Sequence, residues 1–197
     1  MKKIIMILSC LCFLPLAACS AEREEARFDA FRASLEDKAV TVTAEVTARD
    51  GEELSVFTLR CAETQAGCEI EVLSPEEIAG VTATLDEGET KLQFDGLILP
   101  MPQAQDTVSP LMALPLVLQA ARTGHVDLVW EADGLAAQLI TDDDTAVRIT
   151  FDENDLPASA EIDVGGKTCV FCTITAWDAE TRDSNESNDT NLGGDQP

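Results

Sequence analysis

From Ala39 to Leu59 apolar and polar residues alternate almost without a break: Val40, Val42, Ala44 and Val46 are separated by Thr and Glu, and the pattern resumes beyond Arg49-Asp50-Gly51-Glu52. A period of two is that of a strand with one wet and one dry face, and Asp-Gly is turn chemistry, so the stretch predicts a hairpin. Its apolar face is expected to run through Leu54, Val56 and Thr58 to Cys61. Ala62 to Gly67 then reads as a loop and Cys68 to Leu73 as a third strand. Ser74-Pro75-Glu76-Glu77 predicts a short helical turn, because Ser or Pro can cap it and carboxylates favour the N-terminal end of its dipole. Val81–Leu85 and Lys91–Phe94 continue the sheet, and Leu97–Leu99 extend it before Pro100 and Pro102 break it. After Gly124 the two-residue period returns in His125–Trp130, Ala136–Ile140, Ala146–Phe151, Ala158–Val164 and Thr168–Thr175, with turn residues between them. This is the pattern of an antiparallel meander.

Two stretches carry a helical period instead. In Ala21–Asp37 the residues Phe28, Phe31 and Leu35 recur three and four apart among Glu and Arg, which predicts an amphipathic helix. Ser109–Thr123 holds Leu111, Met112, Leu114, Leu116, Val117 and Leu118, apolar on almost every side. Such a helix must be buried on more than one face. Pro115 is expected to kink it or delay its start, and Gly124 to cap it.

The N-terminus joins a positive pair, Lys2-Lys3, to an apolar run, Ile4–Pro15, too short for a permanent membrane span, which is the layout of a secretory signal. It ends in Leu16-Ala17-Ala18-Cys19, which resembles the lipobox of bacterial lipoproteins. That resemblance implies a signal peptide over residues 1–18, acylation of Cys19, and an extracytoplasmic domain anchored by lipid to the cell membrane or outer membrane. Two acyl chains hold stably where one holds weakly. Residues 19–177 are one domain's worth of chain, and the Asp-, Asn- and Ser-rich stretch 178–197 is expected to be a disordered acidic tail.

Charge narrows the partners. The chain has 13 basic and 37 acidic residues and a net charge of -24; loss of Lys2 and Lys3 with the leader deepens this to -26. Such a surface repels phosphate, so nucleic acid is not an expected partner. The membrane is met through the lipidated N-terminus, and the chain is expected to be monomeric.

Of seven cysteines, Cys10 and Cys12 belong to the leader and Cys19 would carry lipid, which leaves Cys61, Cys68, Cys169 and Cys172. An even number in an exported chain suggests two disulfides, for which three connectivities exist. Cys61 with Cys68 is the preferred pair, and Cys169 with Cys172 follows by exclusion. Cys169-Val170-Phe171-Cys172 has redox-motif spacing but lies in a strand pattern, not at a helix N-terminus, so redox catalysis is not expected. Gly165-Gly166-Lys167-Thr168 lacks the earlier glycine of a phosphate loop and reads as a hairpin turn. Asp142-Asp143-Asp144 and Asp152-Glu153-Asn154-Asp155 supply oxygens that could gather a hard cation, yet the same residues are turn formers. His125 is the single histidine. No metal site, cofactor or catalytic set is expected.

The order of elements, an N-terminal helix, five or six strands, an apolar helix and five more strands, resembles the LolA-like and LolB-like lipoprotein-localisation-factor family. The resemblance rests on the helix Ala21–Asp37, the run Glu71–Val81, the Leu92-Gln93-Phe94-Asp95-Gly96 strand end and the Ser109-Pro110 opening of the apolar helix. It implies an α+β fold in which a strongly curved antiparallel sheet, an incomplete β-barrel, is closed by helices around a cavity for acyl chains. Val56, Phe94, Leu111, Met112, Leu114, Leu118 and Trp130 would line that cavity. Leu97–Met101 is the nearest counterpart of the family's protruding apolar loop. The implied role is a lipid-anchored envelope protein that binds a hydrophobic ligand (acyl chain, lipid or lipoprotein) without catalysis. The other reading is a structural or protein-binding envelope module with a filled core.

Overall fold

The computed structural model describes residues 14–64, 67–86, 89–101, 108–142 and 144–182. Most of the leader and the tail beyond residue 182 lie outside these. The chain forms helix α1 (Leu14–Ser34), strands β1 (Lys38–Asp50), β2 (Glu53–Glu63) and β3 (Gly67–Ser74), and a single 3-10 turn at Glu76–Ile78. Strands β4 (Thr82–Asp86), β5 (Glu89–Phe94) and β6 (Leu97–Met101) follow, then a 3-10 turn at Pro110–Met112 and helix α2 (Ala113–Thr123). Strands β7 (His125–Glu131), β8 (Leu135–Asp142), β9 (Thr145–Phe151), β10 (Pro157–Val164) and β11 (Lys167–Thr181) complete it.

All eleven strands join one antiparallel sheet in the order β6-β5-β4-β3-β2-β1-β11-β10-β9-β8-β7. Every neighbour is a chain neighbour except β1 and β11, whose pairing unites the two meanders. The sheet does not close, because β6 and β7 are its two edges. Nor is it flat. Helix α2 touches both β2 and β8, which are five ladders apart, roughly 24 Å in a flat sheet, whereas the eleven residues of α2 span only about 16 Å end to end. The sheet must therefore bend around α2, and six of its ten ladders carry a register shift, the local device that increases twist and bend.

One inward row of paired residues runs Phe57, Val46, Cys172, Ala160, Ile149, Ala137, Val129 from β2 to β7. Most of these are fully buried, and α2 covers them with Leu114, Val117, Ala120 and Ala121. Helix α1 adds Phe28 and Phe31, and the turn after it Leu35, with Phe31 4.9 Å from the Phe151 ring and 6.0 Å from Trp177. Arg32 donates to the carbonyls of Ala121 (3.0 Å) and Gly124 (2.8 Å), satisfying acceptors that the end of α2 leaves free.

Two boundaries differ from the sequence reading and one follows it. Helix α1 begins at Leu14 and ends at Ser34, and Asp37, with φ 57, turns the chain into β1. Of the two outcomes expected of Pro115, the delayed start is found: the α-helix begins only at Ala113, after a 3-10 turn, and is not kinked, because Pro115 sits in its first turn, where the missing N–H has no partner to lose. Finally, residues 178–181, assigned to the tail, belong to β11 and pair with Lys38–Thr41. Backbone ladder bonds need no apolar side chains, so the change in composition at Asp178 does not end the strand.

Candidate functional site

A pocket of about 190 Å³ opens between α2 and the hairpin of β2 and β3, lined by Leu85, Met112, Pro115, Leu116, Leu118 and Gln119, with Cys68, Gly67, Glu63 and Arg122 on its polar side. Each wall has a local cause. On the flank of α2 that meets the pocket Leu116 is half-buried and Pro115 is buried beside it, while Leu114 and Val117 face the sheet and are fully buried. Gly67 permits the close approach of β3 to β4, since a Cβ there would lie 1.9 Å from the Leu85 carbonyl oxygen.

The polar end is an ion pair. Arg122 donates from Nε to Glu63 Oε1 (2.6 Å) and from Nη2 to Glu63 Oε2, and its Nη1 and Nη2 also reach the carbonyls of Leu35 and Lys38, each at 2.7 Å. Glu63 Oε2 accepts in addition the Val40 N–H at 2.8 Å. With 22% and 11% of their side-chain surfaces exposed, the two groups bind α2, the α1–β1 turn, β1 and β2 at one point.

Beyond the pocket part of the inner face of β5 and β6 is exposed among the described residues. Cross-strand pairing places Leu92 and Leu99 in the row of Ile70 and Ala83, and Phe94 opposite Leu97. The described helices do not lie over this strip: Phe94 is 51%, Leu97 61% and Leu99 51% exposed. Leu97–Met101 is accordingly not a protruding loop but the edge strand β6.

The predicted cavity residues divide. Met112 and Leu118 line the pocket. Leu111 is half-buried against the core, and Leu114 is part of it. Phe94 lies on the exposed inner strip. Val56 and Trp130 do not face the interior: Val56 pairs with Thr47, which pairs in turn with Phe171, in an outward row, and Trp130 pairs with Ala136, one position out of phase with Val129 and Ala137. The expectation that they line a cavity is thereby corrected. Glu63, Arg122, Leu85 and Leu116 were missed; the signal available was Arg122, the single charged residue of α2.

Cys61, Cys68, Cys169 and Cys172 are all free thiols. Cys61 and Cys68 share the inner face of β2 and β3 as diagonal neighbours. Cys172 faces the core between Val46 and Ala160, and burial pushes its thiol up to about 12. Cys169 is the extra residue of a bulge against β10, with its thiol donating to the Ile162 carbonyl at 3.4 Å. Cys169 and Cys172 thus occupy different settings, which does not support pairing them by exclusion. The Cys19 backbone lies within α1.

The acidic clusters form turns. Asp152 accepts N–H bonds from Asn154 (2.8 Å) and Leu156 (3.0 Å), which hold its carboxyl below the usual range, and Asp142 accepts the Asp144 N–H at 3.1 Å. Asp143 lies outside the described residues. His125 opens β7 and is exposed. Gly165 and Gly166, both at positive φ, make the β10–β11 hairpin turn.

No protein-family model matches the chain, and no curated protein matches it. Among solved structures it is similar to an uncharacterized conserved protein from Thermus thermophilus, at 16% identity over 82% of this chain and 88% of that one, with a TM-score of 0.44. It is also similar to a LolA superfamily protein from Nitrosomonas europaea (11% identity, 80% and 92% covered, TM-score 0.42). A DUF1329 family protein from Desulfovibrio piger is a third such structure (10% identity, 85% and 95% covered, TM-score 0.43). No described helix is long and apolar enough to cross a membrane.

Proposed function

We propose that the chain is a lipid-anchored cell-envelope protein, held by acyl chains on Cys19, which binds a hydrophobic ligand without catalysing a reaction. The ligand, an acyl chain, lipid or lipoprotein, would lie between α2 and the inner face of β3 to β6, with the helices filling the open side of the curved sheet. The observation that carries this reading is the exposed apolar strip, Phe94, Leu97 and Leu99, continuous through the half-buried Leu92 with the pocket at Leu85 and Leu116. Leaving such surface in water costs about 25 cal/mol for each Å², and an acyl chain needs no polar contact to recover it.

A specific measurement favours the second reading. The pocket, at about 190 Å³, is below the ~300 Å³ at which small-molecule sites begin, which suits a filled module acting through its acidic surface. Solvent extraction of the purified full chain separates the readings, since acyl chains bonded to Cys19 stay with the protein and only non-covalent lipid is released. Mass spectrometry is expected to find such lipid, and less of it, by about tenfold, in a Leu97→Lys/Leu116→Lys variant of unchanged melting temperature. An extract without lipid from the unaltered chain would sink the binding reading and leave the module.

A further inference from the structure

We propose that Cys61 and Cys68 form a reactive dithiol on the pocket wall that closes to a disulfide by exchange with a disulfide-class oxidant, while Cys169 and Cys172 stay as thiols. The proposal rests on the export reading above for its oxidising compartment.

The register supplies the geometry. Cys61 pairs with Ile70, and Cys68 with Glu63, so the two cysteines are diagonal neighbours on one face of adjacent antiparallel strands. On that diagonal Cα atoms are roughly 7–8 Å apart and Cβ atoms somewhat closer, just beyond the ~6.8 Å usual for a disulfide, so closure draws β2 and β3 slightly together. The two side chains are near enough for each to shift the other's titration. Cys172 has no such neighbour. It sits beside Val46 while Cys61 sits beside Val42, four residues apart along β1, roughly 13 Å.

The two sulfurs are also unequal. Cys68 lines the pocket, and its interaction with Cys61 draws its thiol below the ordinary value. Cys61 has no exposed surface, and the interaction with Cys68 and its burial push it up. Cys68 is therefore the attacking sulfur. Its thiolate displaces one thiol from the oxidant and forms a mixed disulfide; Cys61 then loses its proton and displaces the second thiol. Two cysteine S–H bonds and the oxidant's S–S bond are broken. The Cys61–Cys68 bond and two S–H bonds on the departing thiols are formed, so two electrons pass to the oxidant. The closed bond would fix the β2–β3 hairpin at the pocket mouth.

Peptide mapping tests this on the full chain, recovered from a bacterial envelope without reductant and alkylated in acid. Glu63 lies between the two cysteines, so Glu-specific cleavage leaves peptides of Cys61 and Cys68 held together only by sulfur. The expected result is that linked pair, separable by reductant, with Cys169 and Cys172 both alkylated. In parallel, reduced chain is treated with oxidised glutathione. Closure there with an open pair in the cell-derived chain supports the dithiol and counts against export. Alkylated Cys61 and Cys68 after glutathione treatment, a stable glutathione adduct on Cys68, or a link to Cys169 or Cys172 would overturn the proposal. A Cys61→Ser/Cys68→Ser variant is expected to melt about 5 °C below the oxidised chain and level with the reduced one.

Discussion

Arg122 is the single charge on α2, and its guanidinium meets Glu63 and two backbone carbonyls from separate elements at once. An ion pair so little exposed is strongly destabilised when one partner goes, because the other is left charged and short of its partner's hydrogen bonds. Arg122→Ala is therefore expected to cost about 3 kcal/mol in urea denaturation, and Arg122→Lys to recover little, since a point charge cannot serve acceptors in a planar fork. A loss below about 0.5 kcal/mol, the range of ordinary surface changes, would mean the cluster is only a surface contact. At this scale the residue pattern is an uneven guide. Val40, Val42, Ala44 and Val46 face inward as their alternation implies. In β2 apolar residues occupy both phases, and it is Phe57, Leu59 and Cys61 that continue the inner face, not Leu54 and Val56. In β7 a register shift between Val126 and Leu128 turns Val129 inward, so the alternation Val126, Leu128, Trp130 misleads. A bulge inverts every later position in a strand, and nothing in the residues around Asp127 announces it.

At the level of elements, α2 was legible because its apolar surface has no wet side, and the hairpins because Asp and Gly mark their turns. What the pattern did not separate was which flank of α2 meets the sheet. Leu114 has no exposed surface, whereas Leu116, two positions on, is half-buried at the pocket. Truncation should reflect this. Leu114→Ala is expected to cost about 3 kcal/mol and Leu116→Ala about 1 kcal/mol, measured as shifts of the denaturation midpoint. Equal losses would place both residues in one packed core and remove the pocket from consideration. The reverse order would mean that α2 is rotated about its axis. Strand β6 was legible as an apolar run but not as an edge, because its position depends on where the chain leaves the sheet. Pro100 within it is tolerated at an edge, where a missing N–H breaks no second ladder.

For the whole molecule, the two meanders follow from sequence order, but their union through β1 and β11 does not. That pairing joins residues more than a hundred positions apart, and it sets β6 and β7 as the free edges. An edge with Leu97, Ile98 and Leu99 each at least half exposed is a template for pairing with another chain. At pH 7 the net charge of -24 keeps copies apart. That repulsion must vanish near the isoelectric point of about 4.1, while the exposed edge remains. Light scattering is therefore expected to rise as the pH is lowered from 7 toward 4.1, and the rise to come at lower pH in a Leu97→Gln/Leu99→Gln variant, which leaves the charge unchanged. Association through acyl chains on Cys19 would be common to both proteins, so the difference reports the edge alone. Coincident onsets would show that self-association runs through another surface, and that β6 is protected by its own twist rather than by charge.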